Sequence, residues 1–598
     1  MIRRISITGL DRIAPRFERL YGAEAAPDCL ERLAMLVGRY GVGFYGQPSG
    51  LRWDEKACVL ITYGDSIVNP AEAPLVTLQR FLHQRLRGAV SIVHILPFFP
   101  YSSDDGFSII DYREVREDLG TWSDIEAIGK DFDLMFDLVL NHCSRKSGWY
   151  EDFVTGVAPA RHYFLDVDPK MDLSQVTRPR SSPLLTRSTT ATGEHWLWTT
   201  FSDDQLDLNF ANPDVLFEFL DILFYYIAMG ARVVRLDAIA YLWKRIGTSC
   251  IHLPETHEVV KLLRDVLDMV APSVRLLTET NVPHAENVSY FGAGDEAHLV
   301  YQFALAPLLL LTLVTGDAGY LTSWLAGLAP PPPGCTYLNF TASHDGIGVR
   351  PLEGLVDEAT LAGLIDHVQT CGGEVSWRRN ADGTDSPYEL NISYFDAMGP
   401  ESPAALRRKR FLLSQTVPLA LQGIPAVYLH SLTATPNDHA AVARTGRARS
   451  INRGQWQEAE LTSCLRDTKS DTGRMFAELT RRLLLRAQTR AFHPEAPQTI
   501  LQLGPDLLGV SRTAPDGEET VIAIGNVTPR RVSVPPGALV PGASDPVRAV
   551  DILAGNKAVD LAAPVILSPY KTVWLKLDQT AQPNRRGKPD PTAQATMR

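Results

Sequence analysis

The chain has 598 residues, of which 45% are hydrophobic and 21% charged, and its formal net charge at pH 7 is −11. This composition is typical of a globular protein, and the length exceeds one average domain. The acidic balance argues against a dedicated nucleic-acid or anionic-membrane binder and favours a small ligand. The seven cysteines are scattered without a CxxC pair, so neither a disulfide framework nor a zinc site is indicated and a reducing cytoplasm is expected.

The first 55 residues show helical periodicity, as in "CLERLAMLVGRY", and no strand pattern. The basic start, "MIRRISITGLDRIAPRF", lacks the continuous apolar core of a secretory signal. The longest apolar run, "FALAPLLLLTLV" at 303–314, is too short to cross a bilayer and predicts a buried helix. We therefore predict a helical extension over residues 1–55 and no membrane span.

Eight short, apolar, β-rich segments follow this extension. Helix-like stretches such as "PDVLFEFLDILFYYIAMG" separate several of them, and strands that alternate with helices predict parallel βα units. Eight such units favour an α/β fold with a closed (β/α)8 TIM barrel, which we place over residues 56–490. The predicted strands are 57–63, 89–98, 133–142, 231–238, 274–279, 298–303, 335–345 and 424–430.

Two connections in the predicted barrel are too long to be plain crossovers. Residues 143–212 are predicted to form an inserted subdomain and residues 346–423 a long loop region, and long connections of this kind usually carry function. After the barrel, short strand-like runs separated by Pro and Gly predict an all-β domain at 491–576. Residues 577–598 lack apolar content and are predicted to be disordered.

Polar and charged side chains fall at the ends of four predicted strands, and in a barrel the carboxyl ends of all strands share one mouth. Arg235 and Asp237 are two residues apart, so they point to the same face of a strand, where the guanidinium is expected to lower the pKa of the carboxyl. Glu279 and Asp345 end later strands, so three carboxylates can converge. Their mutual repulsion is expected to raise the pKa of one of them.

One ionised and one protonated carboxyl suit glycosidic chemistry with retention, in which the first attacks the anomeric carbon and the second protonates the leaving oxygen. Asp104, His142 and His344 would bind sugar hydroxyls, and Phe107 or Phe201 would offer an apolar face. Taken singly, such residues are more often structural than catalytic; their joint pattern favours a site. A metal site is less well supported, because no HxH or HExxH spacing occurs.

The segments "LVLNH", "VVRLDAIAY", "LLTETNVPH" and "ASHDGIG" resemble the four signature regions of the α-amylase superfamily, and "HILPFFPYSSDDGFSIIDY" with "GTSCIHL" is similar to its sucrose phosphorylase subfamily. The resemblance spans about residues 55–576. It implies that Asp237 is the nucleophile, Glu279 the general acid/base and Asp345 the transition-state stabiliser. The residues that it implies for holding the glucosyl unit are Asp104, Phe107, His142, Phe201, Gln205, Arg235, His344 and Arg449.

Two features of the sequence qualify this resemblance. The spacing in "TGRARSINR" leaves Arg447 as an alternative to Arg449. The extension of about 55 residues is not found in sucrose phosphorylases, which begin almost directly at the first strand.

Three segments look more like the glucosylglycerate phosphorylases than like sucrose phosphorylases: "TRPRSSPLLT", "ETNVPHAENVSYFGAGDEAHLVYQF" and "NADGTDSPYELN". That likeness implies reversible phosphorolysis of 2-O-α-D-glucosyl-D-glycerate, with inorganic phosphate as co-substrate and no metal or organic cofactor.

The acceptor in both half-reactions, phosphate or glycerate, is an anion, so a cationic subsite is expected. In the resembling enzymes the RPR segment, the Tyr after the nucleophile and the loop before the eighth strand shape this subsite. Exposed arginines on loops are, however, more often solvated than functional. The candidate acceptor residues are Arg180, Tyr241, His257, Arg378, Arg379 and Tyr388.

Several alternatives stay open, because the carboxylates do not distinguish acceptors. They include phosphorylases of sucrose, sucrose 6-phosphate or glucosylglycerol, and a retaining α-glucosidase, which differs only in letting water reach the glucosyl-enzyme. A non-catalytic barrel predicts the loss of at least one carboxylate, and all three are present. The expected partners are a small glucoside and phosphate, with no nucleic acid or membrane; a homodimer is the default oligomer.

Overall fold

The computed structural model of the chain describes residues 7–41, 53–380, 383–399, 403–540 and 548–578. Most of the predicted disordered tail, residues 579–598, lies outside these ranges, as does part of the predicted N-terminal extension.

Eight parallel strands close into a barrel, which confirms the predicted fold class. Each strand pairs with the next one along the chain, and the eighth pairs with the first. Their apolar, β-branched runs are buried because side chains fill the interior and helices cover the outside. The strands are β1 (Val59–Thr62), β2 (Ile92–Ile95), β3 (Asp133–Val139), β4 (Ala231–Asp237), β5 (Arg275–Thr278), β6 (Leu299–Tyr301), β7 (Thr336–Asn339) and β8 (Ile424–Tyr428).

Two N-terminal helices, α1 (Ile7–Tyr21) and α2 (Ala26–Tyr40), pack on the outside of the barrel. They contact the helices on either side of β4, which are α3 (Pro213–Ala228) and α4 (Pro254–Val270). Their apolar faces follow the helical period, and Ile13, Phe17 and Leu33 are fully buried.

Further helices surround the barrel, and the apolar run at 303–314 forms one of them. No helix in the part of the chain that the structure describes is both long enough and apolar enough to span a bilayer. These helices are Pro74–Arg85, Trp122–Gly129, Gly148–Thr155, His284–Val288, Leu305–Thr315, Gly319–Gly327, Glu358–Thr370, Ala404–Ala420, Leu429–Leu432, His439–Thr445, Glu458–Arg466 and Asp471–Arg486.

Small sheets form outside the barrel. Between β3 and β4 lie the pairs Leu185–Thr190 with Gly193–Trp198 and His142–Ser144 with Gln205–Asp207. Between β7 and β8 lies a three-stranded sheet of Ile347–Gly348, Asp385–Asn391 and Glu374–Arg379, and Ile67–Val68 pairs with Trp456–Gln457. The C-terminal region forms a six-stranded antiparallel sheet, ordered Gln498–Leu501, Leu507–Thr513, Thr520–Asn526, Thr572–Leu577, Arg548–Asp551 and Lys557–Asp560, and a two-stranded one, Val532–Val534 with Val565–Leu567.

Candidate active site

A cavity at the carboxyl ends of the barrel strands brings together residues that are far apart in sequence. Parallel strands of a closed barrel all point their carboxyl ends to one side, so side chains that end different strands meet there. The sequence-predicted residues that line the cavity are Asp104, Phe107, His142, Arg180, Phe201, Gln205, Arg235, Asp237, Tyr241, Glu279, His344, Asp345, Tyr388 and Arg449.

Arg235 and Asp237 point to the same face of β4, as their spacing predicts. Nη1 of Arg235 donates to Oδ1 of Asp237 and to Oδ1 of Asp137 on the neighbouring β3, both at 2.6 Å. Asp137 in turn contacts Nε2 of His94 on β2 at 2.7 Å. All four side chains are buried, so the guanidinium is the charge that stabilises two carboxylates in the barrel interior.

The pKa of Asp237 departs from the sequence-based expectation. Burial has the largest influence and raises this pKa, Arg235 lowers it as expected, and the charge of Glu279 raises it again, so that the net direction is upward. The sequence shows the guanidinium but not the depth of burial. Since Asp237 and Glu279 interact closely, the two carboxyls titrate as a pair that holds its proton to higher pH than exposed carboxyls do.

We place the shared proton on Glu279. Oε2 of Glu279 accepts a hydrogen bond at 3.0 Å from the backbone N–H of Ala238, the residue after Asp237. None of the described ion pairs involves Glu279. Asp237, by contrast, has a guanidinium in direct contact. Burial raises the pKa of Glu279, and the charge of Asp345 adds to this increase, which agrees with the prediction that repulsion raises the pKa of one carboxyl.

The raised pKa of Glu279 has a consequence for stability. Folded Glu279 keeps its proton to higher pH than the unfolded chain, in which the ordinary pKa is 4.5, so stability falls as pH rises from there through the folded pKa. Glu279→Gln removes this penalty and keeps an acceptor for Ala238. We expect the variant to be more stable by about 1 kcal/mol at pH 7, with the gain vanishing toward pH 4. Calorimetric melting at several pH values measures this; a gain that grows on acidification would contradict it.

Asp345 lies in the opposite electrostatic environment. Nη1 of Arg449 lies 2.7 Å from its Oδ1, and although burial alone would raise the pKa of Asp345, Arg449 and other nearby cations lower it. Arg449 also holds Glu389 through two hydrogen bonds, of 2.6 and 3.0 Å. Arg447 pairs instead with Asp105, at 3.1 Å, outside this cavity. Of the two arginines between which the sequence did not decide, Arg449 is therefore the one at the carboxylates.

Polar and aromatic side chains form a compact wall beside the carboxylates. The rings of Phe107 and His344 stack with centroids 4.7 Å apart. Nε2 of His142 lies 3.0 Å from the carbonyl oxygen of Phe107 and 3.1 Å from Nε2 of Gln205, whose amide also reaches Asp104 at 3.4 Å. Burial lowers the pKa of both histidines, so both rings are neutral near pH 7 and can donate or accept a hydrogen bond.

Aromatic rings and one cation form the other side of the cavity. The rings of Phe201 and Tyr241 meet edge to face at 5.6 Å, and the guanidinium of Arg180 lies over the ring of Tyr388, 5.1 Å from its centroid. Arg180 has no ion pair with a described carboxylate. A positive charge held over an aromatic ring without a counter-ion is suited to bind an anion.

Three predicted acceptor residues, His257, Arg378 and Arg379, do not line this cavity. Nδ1 of His257 lies 2.8 Å from Oε2 of Glu296 and its ring stacks on a neighbouring tyrosine, because His257 sits on α4, beyond the loop that reaches the site. The two arginines form ion pairs with half-exposed carboxylates of their own loop region. The geometry therefore does not support direct acceptor contacts for these residues.

Several residues at the site escaped the sequence analysis. Asp137 interrupts the apolar run "DLMFDLV", a signal equal to that of Asp237. Glu389 follows Tyr388 in the predicted loop region at 346–423. Arg350 directly follows "GIGV" and lies near Tyr241. Burial raises the pKa of Tyr241, and among the nearby cations the charge of Arg350 lowers this pKa most. Within the described ranges, no group of three or more His, Cys, Asp or Glu side chains is arranged to hold a metal ion.

The chain is similar to several known proteins. Residues 88–315 match the family described as "Alpha amylase, catalytic domain". The chain is 48% identical to the glucosylglycerate phosphorylase of Allomeiothermus silvanus over 86% of this chain and 91% of that protein. It is 43% identical to that of Escherichia coli over 88% and 92% of the two chains. The crystal structure of sucrose 6F-phosphate phosphorylase from Thermoanaerobacter thermosaccharolyticum, 26% identical, superposes with a TM-score of 0.70 over 81% of this chain and 96% of that one. The chain therefore belongs to the glucosylglycerate phosphorylase family within the α-amylase superfamily.

Proposed function

We propose that the protein is a retaining glycoside phosphorylase that converts 2-O-α-D-glucosyl-D-glycerate and phosphate, reversibly, into α-D-glucose 1-phosphate and D-glycerate. The observation that carries this proposal is one cavity that holds the carboxyl groups of Asp237, Glu279 and Asp345 together with Arg180, a guanidinium that has no ion pair with a described carboxylate. The names of the relatives point to the same donor and acceptor.

In the first half-reaction, Asp237 attacks the anomeric carbon and the bond from that carbon to the glycerate oxygen breaks. Glu279 gives its proton to the departing oxygen, so that glycerate leaves as an alcohol. Asp345, whose pKa is lowered by Arg449, stays ionised and stabilises the positive charge that develops on the sugar. The product is a β-glucosyl-enzyme.

In the second half-reaction, a phosphate oxygen attacks the anomeric carbon and displaces the carboxylate of Asp237. Glu279, now ionised, takes the proton of the attacking phosphate hydroxyl and is ready for the next cycle. Two inversions give net retention. Each step moves a glucosyl group or a proton between named groups, so the mechanism requires no metal or organic cofactor.

The acceptor subsite in this proposal lies between Arg180, Tyr241 and Tyr388. Both acceptors carry negative oxygens that a guanidinium can bind in a bidentate manner. The tyrosines are protonated near neutral pH because burial raises the pKa of each, so their hydroxyls can donate to the same anion.

The test is phosphate release from α-glucose 1-phosphate in the presence of D-glycerate, fructose, fructose 6-phosphate or glycerol, or without an acceptor. We expect D-glycerate to be used with a kcat/KM at least about tenfold above that of the neutral acceptors, because a charge-assisted contact contributes that much. Equal release without acceptor would indicate a hydrolase. A preference for fructose, its 6-phosphate or glycerol would overturn the glycerate assignment.

A matched pair of variants tests the role of Arg180 in the same assay. Arg180→Gln should lower kcat/KM for D-glycerate and for phosphate by about 10- to 100-fold. Arg187→Gln is the control, because Arg187 lies on the same connection but pairs with Glu194 at the surface. Equal behaviour of the two variants would remove Arg180 from the subsite.

We also propose that the enzyme acts in the cytoplasm. Six cysteines, Cys29, Cys58, Cys143, Cys250, Cys335 and Cys464, are free thiols, and five of these are buried, which supports a reducing compartment.

A further inference from the structure

The loop at residues 238–253, which follows β4, has an unusual backbone. Three residues with a Cβ adopt positive φ in it: 51° at Ala238, 50° at Cys250 and 54° at His252. Such residues rarely adopt left-handed geometry, and it persists only where surrounding contacts hold it in place. The 238–253 loop also carries Tyr241, which lines the cavity. Whatever holds this loop therefore also places Tyr241.

The end of the loop folds back on its start and is fastened there. The N–H of His252 donates to the carbonyl oxygen of Ala240 at 2.9 Å. Nδ1 of His252 lies 2.9 Å from the hydroxyl of Tyr290, and its Nε2 lies 3.1 Å from Oε2 of Glu286. The ring of Tyr290 is in turn stacked on His257 of α4, with centroids 4.5 Å apart. The loop thus rests on two supports, α4 and the segment around Tyr290.

Helix α1 holds these two supports together. Arg16 contacts α4 through Asp265, at 3.0 Å, and Glu258, at 3.2 Å, and it contacts the other segment through Asp295, at 3.5 Å. The side chain of Asp265 is 1% exposed and that of Arg16 is 14% exposed, so these pairs are poorly screened by solvent. Arg19 adds a second contact to Glu258.

The last residue of α1 also contacts the loop directly. The ring of Tyr21 packs beside the ring of Trp243, two residues after Tyr241, with centroids 6.4 Å apart. The hydroxyl of Tyr21 donates to the carbonyl oxygen of Phe210 at 3.1 Å. The N–H of Trp243 donates to Oγ1 of Thr256 on α4, at 3.2 Å. Helix α1 therefore contacts both the loop and the elements on which it rests.

We infer that α1 is a positioning element that fixes the 238–253 loop and, through it, the acceptor side of the active site. This inference rests on the proposed function for the identity of the acceptor. No residue of α1 lines the cavity, so α1 acts through Tyr241. Most of the glucosyl side lies away from α1, because Asp104, His142 and Asp345 come from other loops and strands.

This separation predicts a specific kinetic signature for Arg16→Gln. With α-glucosyl fluoride as donor, the first turnover of fluoride release reports glucosyl-enzyme formation, since fluoride needs no large acceptor subsite. In Arg16→Gln the rate of this first turnover should change less than about twofold. The KM for D-glycerate and the KM for phosphate should each rise about three- to thirtyfold, which is the range expected for coupling through a packed network. Arg16→Lys should recover part of the affinity.

A matched control separates this role from plain stabilisation. Arg39→Gln removes an ion pair of the same extension, between α2 and Asp221 of α3, at 3.2 Å, and should leave both KM values unchanged. Tyr21→Leu is the second test of α1 if Arg16→Gln fails to fold, and it should raise the same KM values. Unchanged acceptor KM in the α1 variants, or an equal rise in Arg39→Gln, would overturn the inference.

The same measurements keep this inference apart from the proposed function. A wild-type protein that does not transfer glucose to D-glycerate refutes the proposed function. The KM comparison is then made with the acceptor that the wild type does use, and it still decides whether α1 positions the acceptor side.

Discussion

Asp237→Ala is expected to lower the turnover of every glucosyl donor by about 10⁴-fold or more, the loss typical when a covalent nucleophile is removed. With the carboxylate gone, no glucosyl-enzyme can form, so fluoride release from α-glucosyl fluoride should lack its first-turnover burst. Mass spectrometry of acid-quenched protein should show a glucosyl adduct on the wild type and none on the variant.

The fold should survive this substitution. Arg235 keeps Asp137 as its partner at 2.6 Å, and burial raises the pKa of Asp237, so the deleted carboxyl is one that the folded state disfavours at neutral pH. We therefore expect a melting temperature no lower than that of the wild type.

Azide provides the positive control for Asp237→Ala, because it fits the space left by the carboxylate and attacks the anomeric carbon from the same face. The product should be β-glucosyl azide; near-normal turnover without azide would exclude Asp237 as the nucleophile.

The barrel and its mouth could be predicted because their signals are local. A run such as "ARVVRLD" shows its strand character and its same-face pair, Arg235 and Asp237, within seven residues. The direction of parallel strands then brings Glu279 and Asp345 to the same end without any knowledge of loops. The observed contact between Arg235 and Asp237 follows from two-residue spacing alone.

The remaining features of the site depend on long-range packing, which a single sequence does not show. The second partner of Arg235 is Asp137, 98 residues earlier in the chain, and Arg449, besides Asp345, also holds Glu389, 60 residues earlier. The pKa of Asp237 moves upward because burial outweighs its guanidinium, and depth of burial follows only from the assembled barrel. The sequence proposes His257 as a member of the acceptor subsite, but α4 places its ring against Glu296.

Glu279→Ala is expected to separate the two half-reactions. Phosphate and fluoride leave as stable anions, so glucosyl-enzyme formation from α-glucose 1-phosphate or α-glucosyl fluoride should be slowed much less than formation from glucosylglycerate, whose leaving oxygen needs a proton. For glucosylglycerate, and for transfer to D-glycerate, we expect a loss of about 10²- to 10⁴-fold, the range for general acid–base catalysis. Rapid quenching should therefore find the glucosyl-enzyme accumulating in the variant.

Azide distinguishes this role from that of Asp237 by stereochemistry. Azide needs no base and should rescue turnover of Glu279→Ala by attacking the glucosyl-enzyme, and a second inversion then gives α-glucosyl azide. The same reagent gives the β-anomer with Asp237→Ala, where only one inversion occurs. Glu279→Gln is the matched control, because it keeps an acceptor for the N–H of Ala238 but cannot exchange a proton, and it should show the same selective loss. The β-anomer from Glu279→Ala, or an equal loss of rate with α-glucosyl fluoride and with glucosylglycerate as donors, would assign the acid/base role to another group, because loss of an acid/base leaves the nucleophile, and so the first inversion, intact.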